Sequence, residues 1–211
     1  PFATFTFDYR SYRKRGHEQA TTVSKCSSCH VTSRNKHVDR STNDATAGME
    51  ATFGPATFSY SHLYRDFTEH ADAPRADYGN GASFFLVQGV APYSQVPDSR
   101  MNVDSFSLRS ALPLDASIFA NFKHGRRENR ITGNDATFNS TATRLSKYFS
   151  KFVTCDVYYN TYSLNNKENR GIDRDTERGG LDLTTHPLKN TGLTASYQWE
   201  DTDRDNADPT S

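Results

Sequence analysis

The chain has 211 residues, with 25 Lys and Arg against 25 Asp and Glu and a formal net charge of zero. Only 34% of it is apolar and 12% is aromatic, whereas ordinary globular domains are roughly 45–50% apolar once glycine is counted. The neutral balance argues against nucleic acid as the main partner, the aromatic content argues against disorder, and no run approaches the roughly 20 apolar residues of a membrane helix.

Strand-like alternation with a period of two recurs along the chain, and the helical period is nearly absent. The chain starts at Pro1 without an initiator Met, directly in such a pattern, and is expected to be a processed chain or a portion of a longer one. Phe5, Phe7 and Tyr9 alternate with Thr4, Thr6, Asp8 and Arg10. The cationic run Arg13-Lys14-Arg15 then marks an expected strand end, and a long polar connection is expected over Lys14–Asp44.

Inside that connection lies Cys26-Ser27-Ser28-Cys29-His30. Two cysteines separated by two residues and followed by histidine have the spacing of a c-type haem attachment site: each thiol can form a thioether with a vinyl-derived carbon, and the histidine can ligate the iron from the proximal side. A disulfide or bare thiol pair beside an incidental histidine is the plainer reading. Candidate second ligands to the iron are His17 and His37 in the same stretch, then His62 and His70, with Met49 and Met101 as thioether options. Cys155 remains as an inert residue on a strand.

Beyond the motif, Ala45–Phe53 and Ala56–Tyr64 alternate on either side of the tight turn Gly54-Pro55. Phe106 and Leu108 lead to a turn at Leu112-Pro113, followed by alternation from Leu114 to Phe122. A weaker segment spans Thr141–Ser150; Val153–Tyr159, Leu181–Leu183 and Leu193–Trp199 complete about nine segments. Short turns also fall around Ser150-Lys151 and Pro187–Asn190, and long connections at Thr68–Arg100, Gly125–Ser140 and Asn165–Arg178. Short turns at one end and long loops at the other, with one apolar and one polar face, predict an antiparallel transmembrane β-barrel, whole or part of a larger barrel. Residues 1–211 are expected to form this single barrel or partial barrel, with 14–44 as its haem-bearing loop. A soluble β-sandwich is the alternative. Asp201, Asp203 and Asp205 have the spacing that opens a calcium loop but lack its glycine and closing Glu, so a solvated loop is expected there.

Together, Cys26–His30, Val38-Asp39, Gly48–Tyr64 ending in Leu63–Phe67, and Ala91–Ser99 leading into the strand from Asn102 resemble the decaheme-associated outer-membrane porins, the MtrB/PioB-like family. Arg126–Asn129 and Lys167–Asn169, strand ends rich in Arg and Asn, fit the same pattern. The resemblance implies a barrel that sheathes multihaem c-type cytochromes and lets electrons cross the bacterial outer membrane. In that family the N-terminal CxxC lacks the following histidine; here His30 completes the attachment motif. The expectation is therefore a barrel in outer-membrane lipid carrying one covalent haem c on Cys26, Cys29 and His30, with His37 or His17 as distal ligand and the haem loop on the extracellular side. Such a relay makes and breaks no bonds, and no Ser-His-Asp grouping, phosphate-binding glycine loop or four-ligand zinc pattern points to an enzyme. The alternatives are a plain porin with a Cys26–Cys29 disulfide and a soluble monohaem β-protein.

Overall fold

The computed structural model describes residues 3–23, 31–79, 89–166, 173–188 and 191–204. Among them the chain is all β. The strands are β1 (Ala3–Val23), β2 (Val31–Phe53), β3 (Ala56–Glu69), β4 (Arg75–Asp77), β5 (Val90–Pro92), β6 (Ser99–Leu112), β7 (Ala116–Asn129), β8 (Asp135–Ser150), β9 (Val153–Asn166), β10 (Arg174–Leu188) and β11 (Thr191–Arg204). Nine of them form one antiparallel sheet in the order β1-β2-β3-β6-β7-β8-β9-β10-β11, and β4 and β5 form a separate pair. Because every neighbour follows its predecessor in sequence, the large sheet is a meander. It is not closed: β1 and β11 are its two edges.

The register places the alternating residues on consistent faces. Phe5 partners Met49, Met49 partners Tyr60, and the row continues through Phe106 to Phe122. Their side chains share one face because cross-strand partners in an antiparallel ladder point the same way. That face is apolar towards the short turns and lies open: Phe5 is 76% exposed, Phe7 74% and Tyr197 67%. The other face carries Thr, Ser and charged groups, as in Thr57, Ser59 and Ser61 of β3 and their partners Arg109, Ser107 and Ser105 of β6. This polar face is concave. A cavity of about 910 Å³ is lined jointly by Thr57 of β3, Arg109 of β6, Phe119 of β7, Arg144 of β8, Tyr158 of β9 and Gln198 of β11, which a flat sheet could not bring together.

The turns follow local chemistry. Gly54 adopts φ 57° between β2 and β3, a left-handed conformation that costs glycine nothing. Leu114 and Asp115 turn the chain between β6 and β7 at φ 63° and 54°. Leu114, expected at the start of the next strand, therefore belongs to the turn. Aromatic rings cover glycines across the ladder: Phe138 lies over Gly125, Tyr158 over Gly180 and Trp199 over Gly179. Each glycine leaves the room that a cross-strand ring fills.

Several expected connections are strand instead. Over Lys14–Asp44 the ladder continues without a break to Val23 and resumes at Val31; only residues 24–30 of that stretch lie outside the described residues. Likewise β7 runs to Asn129 and β8 begins at Asp135, so the connection expected over Gly125–Ser140 shrinks to a turn. Asp201 and Asp203, expected in a solvated loop, sit on β11 opposite Glu177 and Asp175; Asp205 lies outside the described residues. These strands were hidden because they are polar on both faces and show no apolar alternation.

Candidate functional site

The extended end of the β1–β2 hairpin is where the sequence places the haem. Residues Cys26, Cys29 and His30 lie outside the described residues, and the ladder that leads to them ends at the pair Val23/Val31. His17 and His37 are register partners lower on the same hairpin. Their rings meet edge to face with centroids 5.6 Å apart. The sequence offered them as alternatives; the fold makes them immediate neighbours, both exposed on the outer face. At about 3.3 Å per residue the pair lies roughly 20 Å below Val23/Val31.

The remaining candidates lie further from the tip. His70 bonds Ser41 through Nε2 at 2.9 Å, roughly 33 Å along β2 from Val31 at the same rise. Met101 is on β6 opposite Arg65, which partners Asp44, roughly 43 Å along β2. His62 partners Ala47, roughly 53 Å along, and Met49 is lower still. All four lie farther from the tip than His17 and His37. His62 instead bonds Asp104 through Nδ1 at 2.8 Å, and the Tyr60 hydroxyl donates to the same carboxylate at 2.7 Å. Among the described residues no three His, Cys, Asp or Glu side chains are grouped to hold a metal ion. Cys155 is a free thiol, half-buried on β9.

The hairpin end is braced on both faces. Outside, Arg13 donates from Nε and Nη2 to Asp39 at 2.8 Å, and Arg15 reaches the same carboxylate at 3.3 Å. Hydrogen bonding from Arg13, opposed by some desolvation and aided by Arg15, holds the Asp39 carboxyl well below the usual range. Inside, Arg40 bridges Glu18 at 2.5 Å and Glu69 at 2.7 Å. The Arg40 hydrogen bond lowers Glu18. Burial pushes Glu69 up, but Arg40 and the backbone N–H groups of Asp39 and Ala71 more than offset it, so Glu69 is also lowered.

The long connection between β3 and β6 folds against the inner side of this hairpin. Ala76, Tyr78 and Ala91 of the β4–β5 region form a small core with Tyr93 packed on it. The Tyr78 hydroxyl bonds Thr22 Oγ1 at 2.8 Å, and the Lys36 ammonium donates to the Ser94 carbonyl. Val38 is completely buried and Ala20 nearly so. The hairpin that leads to the cysteines is thus a supported post.

On the concave face, Arg109, Arg144 and Arg178 line the large cavity and no carboxylate does. A second cavity of about 370 Å³, sharing Asn160 and Arg178 with the first, adds Arg174 and Arg204 with Glu200. Nothing in the linear sequence marked these arginines, because they lie on strands far apart in the chain and only the register aligns them.

No protein-family model matches the chain, and neither does any curated protein.

Proposed function

We propose that this chain forms the wall of an outer-membrane β-barrel through which electrons pass, with one c-type haem mounted at the end of its long hairpin and multihaem cytochromes as partners. The observation that carries the reading is the sidedness of the sheet: apolar on its open outer face, polar and concave within, and extended into a braced hairpin whose strands lead to and from the segment of Cys26, Cys29 and His30. Among the described residues no helix is long and apolar enough to cross a membrane, so a crossing would be made by strands.

The outer apolar region has the proportions of a lipid-facing band. On β3 it runs from Ala56 to Tyr64, interrupted by His62, roughly 27 Å along the strand, which at a tilt of about 40° spans about 20 Å of height against the ~25 Å band of outer-membrane barrels. Its upper limit is marked by Tyr9, Tyr64, Phe106, Phe122, Tyr159 and Trp199, after which the same face turns polar. Tyr9 and Tyr64 share a row through Ala45; Phe106 and Phe122 share a lower row, and Tyr159 a lower one again. A flat boundary crossed by tilted strands gives such a staircase, and amphipathic rings favour that level. In water this face would be a large apolar patch of the kind that soluble monomers avoid. Further strands at the β1 and β11 edges would close the wall, removing the unpaired edges.

Haem bound at the tip would supply a one-electron relay. Cys26 and Cys29 would hold it through thioethers, and His30 would ligate the iron. Arg13, Arg15, Arg40 and the β4–β5 core would keep the hairpin in place; His17 and His37, roughly 20 Å down the paired ladder from Val31, would reach the iron only with that ladder unpaired, whereas a distal ligand from a partner would leave it intact. A Soret band and covalently retained haem on a denaturing gel test this reading. A chain with no haem and a Cys26–Cys29 disulfide would be the plain porin instead, and a chain that stays monodisperse without detergent would be the soluble alternative.

A further inference from the structure

We infer that the concave face docks a carboxylate-rich protein surface, and that its centre is a row of alternating arginines and aromatic rings running across β6–β9. The identity of the partner, a multihaem cytochrome, rests on the conduit reading; the charge preference does not. Arg109 partners Phe119, Phe119 partners Arg144, and Arg144 partners Tyr158. Neighbouring strands lie about 4.8 Å apart, so the two arginines stand about 10 Å apart with a ring between them. The Arg109 guanidinium lies 5.6 Å from the Phe119 ring centre, and Arg174 lies 5.1 Å from that of Tyr162. Stacking of this kind orients the guanidinium and leaves its N–H edges free for carboxylate oxygens.

The charge on this face is unbalanced in a specific way. In the β1–β3 part of the inner face most cations have carboxylate neighbours: Arg65 bonds Asp44, Arg40 bonds Glu18 and Glu69, Lys14 bonds Glu18, and Arg10 is the register partner of Asp44. Around the two cavities, among the described residues, only Arg178 is matched, by Glu200, which it reaches from Nε at 2.9 Å. Arg174 and Arg204 are direct register partners on β10 and β11, an arrangement that disfavours the sheet unless a counter-charge lies between them. On β9 and β10 two other inner-face carboxylates, Asp156 and Asp182, face each other nearer the short turns; Asp156 accepts from the Ser146 hydroxyl. Asp8 and Glu50 are on the same face on β1 and β2, and none of the four lines either cavity. The free guanidinium groups are spread over several strands and two adjoining cavities. That spread suits an extended acidic surface; a small anion would need donors converging on one point.

The test uses the detergent-extracted complex of the full chain and the triple variant Arg109→Gln/Arg144→Gln/Arg178→Gln, with Arg144→Gln alone as the milder change. Raising salt from about 0.1 M to about 1 M cuts the screening length from ~10 Å to ~3 Å. The wild-type chain should keep its haem-staining cytochrome at the lower salt and release it at the higher, and the triple variant should release it already at the lower. In a second measurement, fluorescein-labelled decaglutamate should bind the wild-type chain about tenfold tighter than the triple variant, and decalysine should not bind. Equal retention and equal decaglutamate affinity in wild type and variant would overturn the inference. So would citrate binding as tightly as decaglutamate, because it would assign the arginines to a small anion. If no haem-staining protein accompanies the wild-type chain at any salt, the conduit reading falls, and the decaglutamate measurement still decides the charge preference.

Discussion

The two ends of the β1–β2 hairpin carry their apolar residues on opposite faces. Near the short turns the apolar residues of β1 are Phe5, Phe7 and Tyr9, on the outer face. Near the tip the buried apolar residues are Ala20 and Val38, on the inner face, beside Thr22 and Lys36, which bond Tyr78 and Ser94 of the β3–β6 connection. The same pair of strands thus changes the phase of its alternation partway along. Period-two patterning follows which side meets water, and on the proposed barrel reading the flip would mark a change of solvent: water outside at the tip, an apolar medium outside lower down. The tip is an ordinary water-soluble structure with a small core and paired charges. The lower region is built the other way round.

A charge placed on the lower outer face should break this comparison most strongly. Leu108→Arg, in the middle of the apolar band, should cost about 2–4 kcal/mol in folding into lipid vesicles, whereas Ser107→Arg on the inner face of the same strand should cost under about 1 kcal/mol. Heat-modifiable gel mobility with urea titration measures both, and equal costs would abolish the sidedness. Next, Val38→Asp should open the hairpin end by roughly 2 kcal/mol or more, because it replaces a completely buried apolar side chain by a carboxylate whose same-face neighbours Lys36 and Arg40 are already bonded to Ser94 and to Glu18 and Glu69. Limited proteolysis should then cut near the tip while membrane insertion stays normal.

Acid should separate the two regions without any mutation. Asp39, Glu18 and Glu69 are lowered in the folded hairpin, so the stability they contribute is present above the ordinary carboxylate pKa of about 4 and is lost as pH falls through their lowered folded values. Protease sensitivity of the hairpin end should rise as pH falls below about 4, with the apolar band unaffected. Arg40→Gln should shift that onset to higher pH. The smallest effect expected is at Gly179, where an added Cβ would meet the Trp199 ring at 2.5–2.9 Å. Gly179→Ala should displace the chain's only tryptophan and shift its emission, at a cost of about 1 kcal/mol.

Much of the sheet was legible in the sequence. The segments around Phe5, Met49, Tyr60, Phe106, Ile118, Leu145, Val157, Leu181 and Tyr197 all lie on strands of the large sheet, because half-buried strands write their pattern in apolar residues. The hairpin end did not read as strand, since Arg13 to Thr22 and Thr32 to Asn43 lack that alternation and are held by backbone pairing and ion pairs. The pairing of His17 with His37 followed from that missed ladder. The arginine–aromatic row was invisible for a different reason: Arg109, Phe119, Arg144 and Tyr158 become neighbours only through cross-strand register. The haem motif, by contrast, is purely local, and five residues spell it.

The most direct measurement of the central claim is the absorption spectrum of the purified chain in detergent, with haem staining after denaturing electrophoresis. The account predicts a Soret band and one covalently retained haem per chain, both lost in Cys26→Ala/Cys29→Ala. A wild-type chain that shows no Soret band and retains no haem would contradict it.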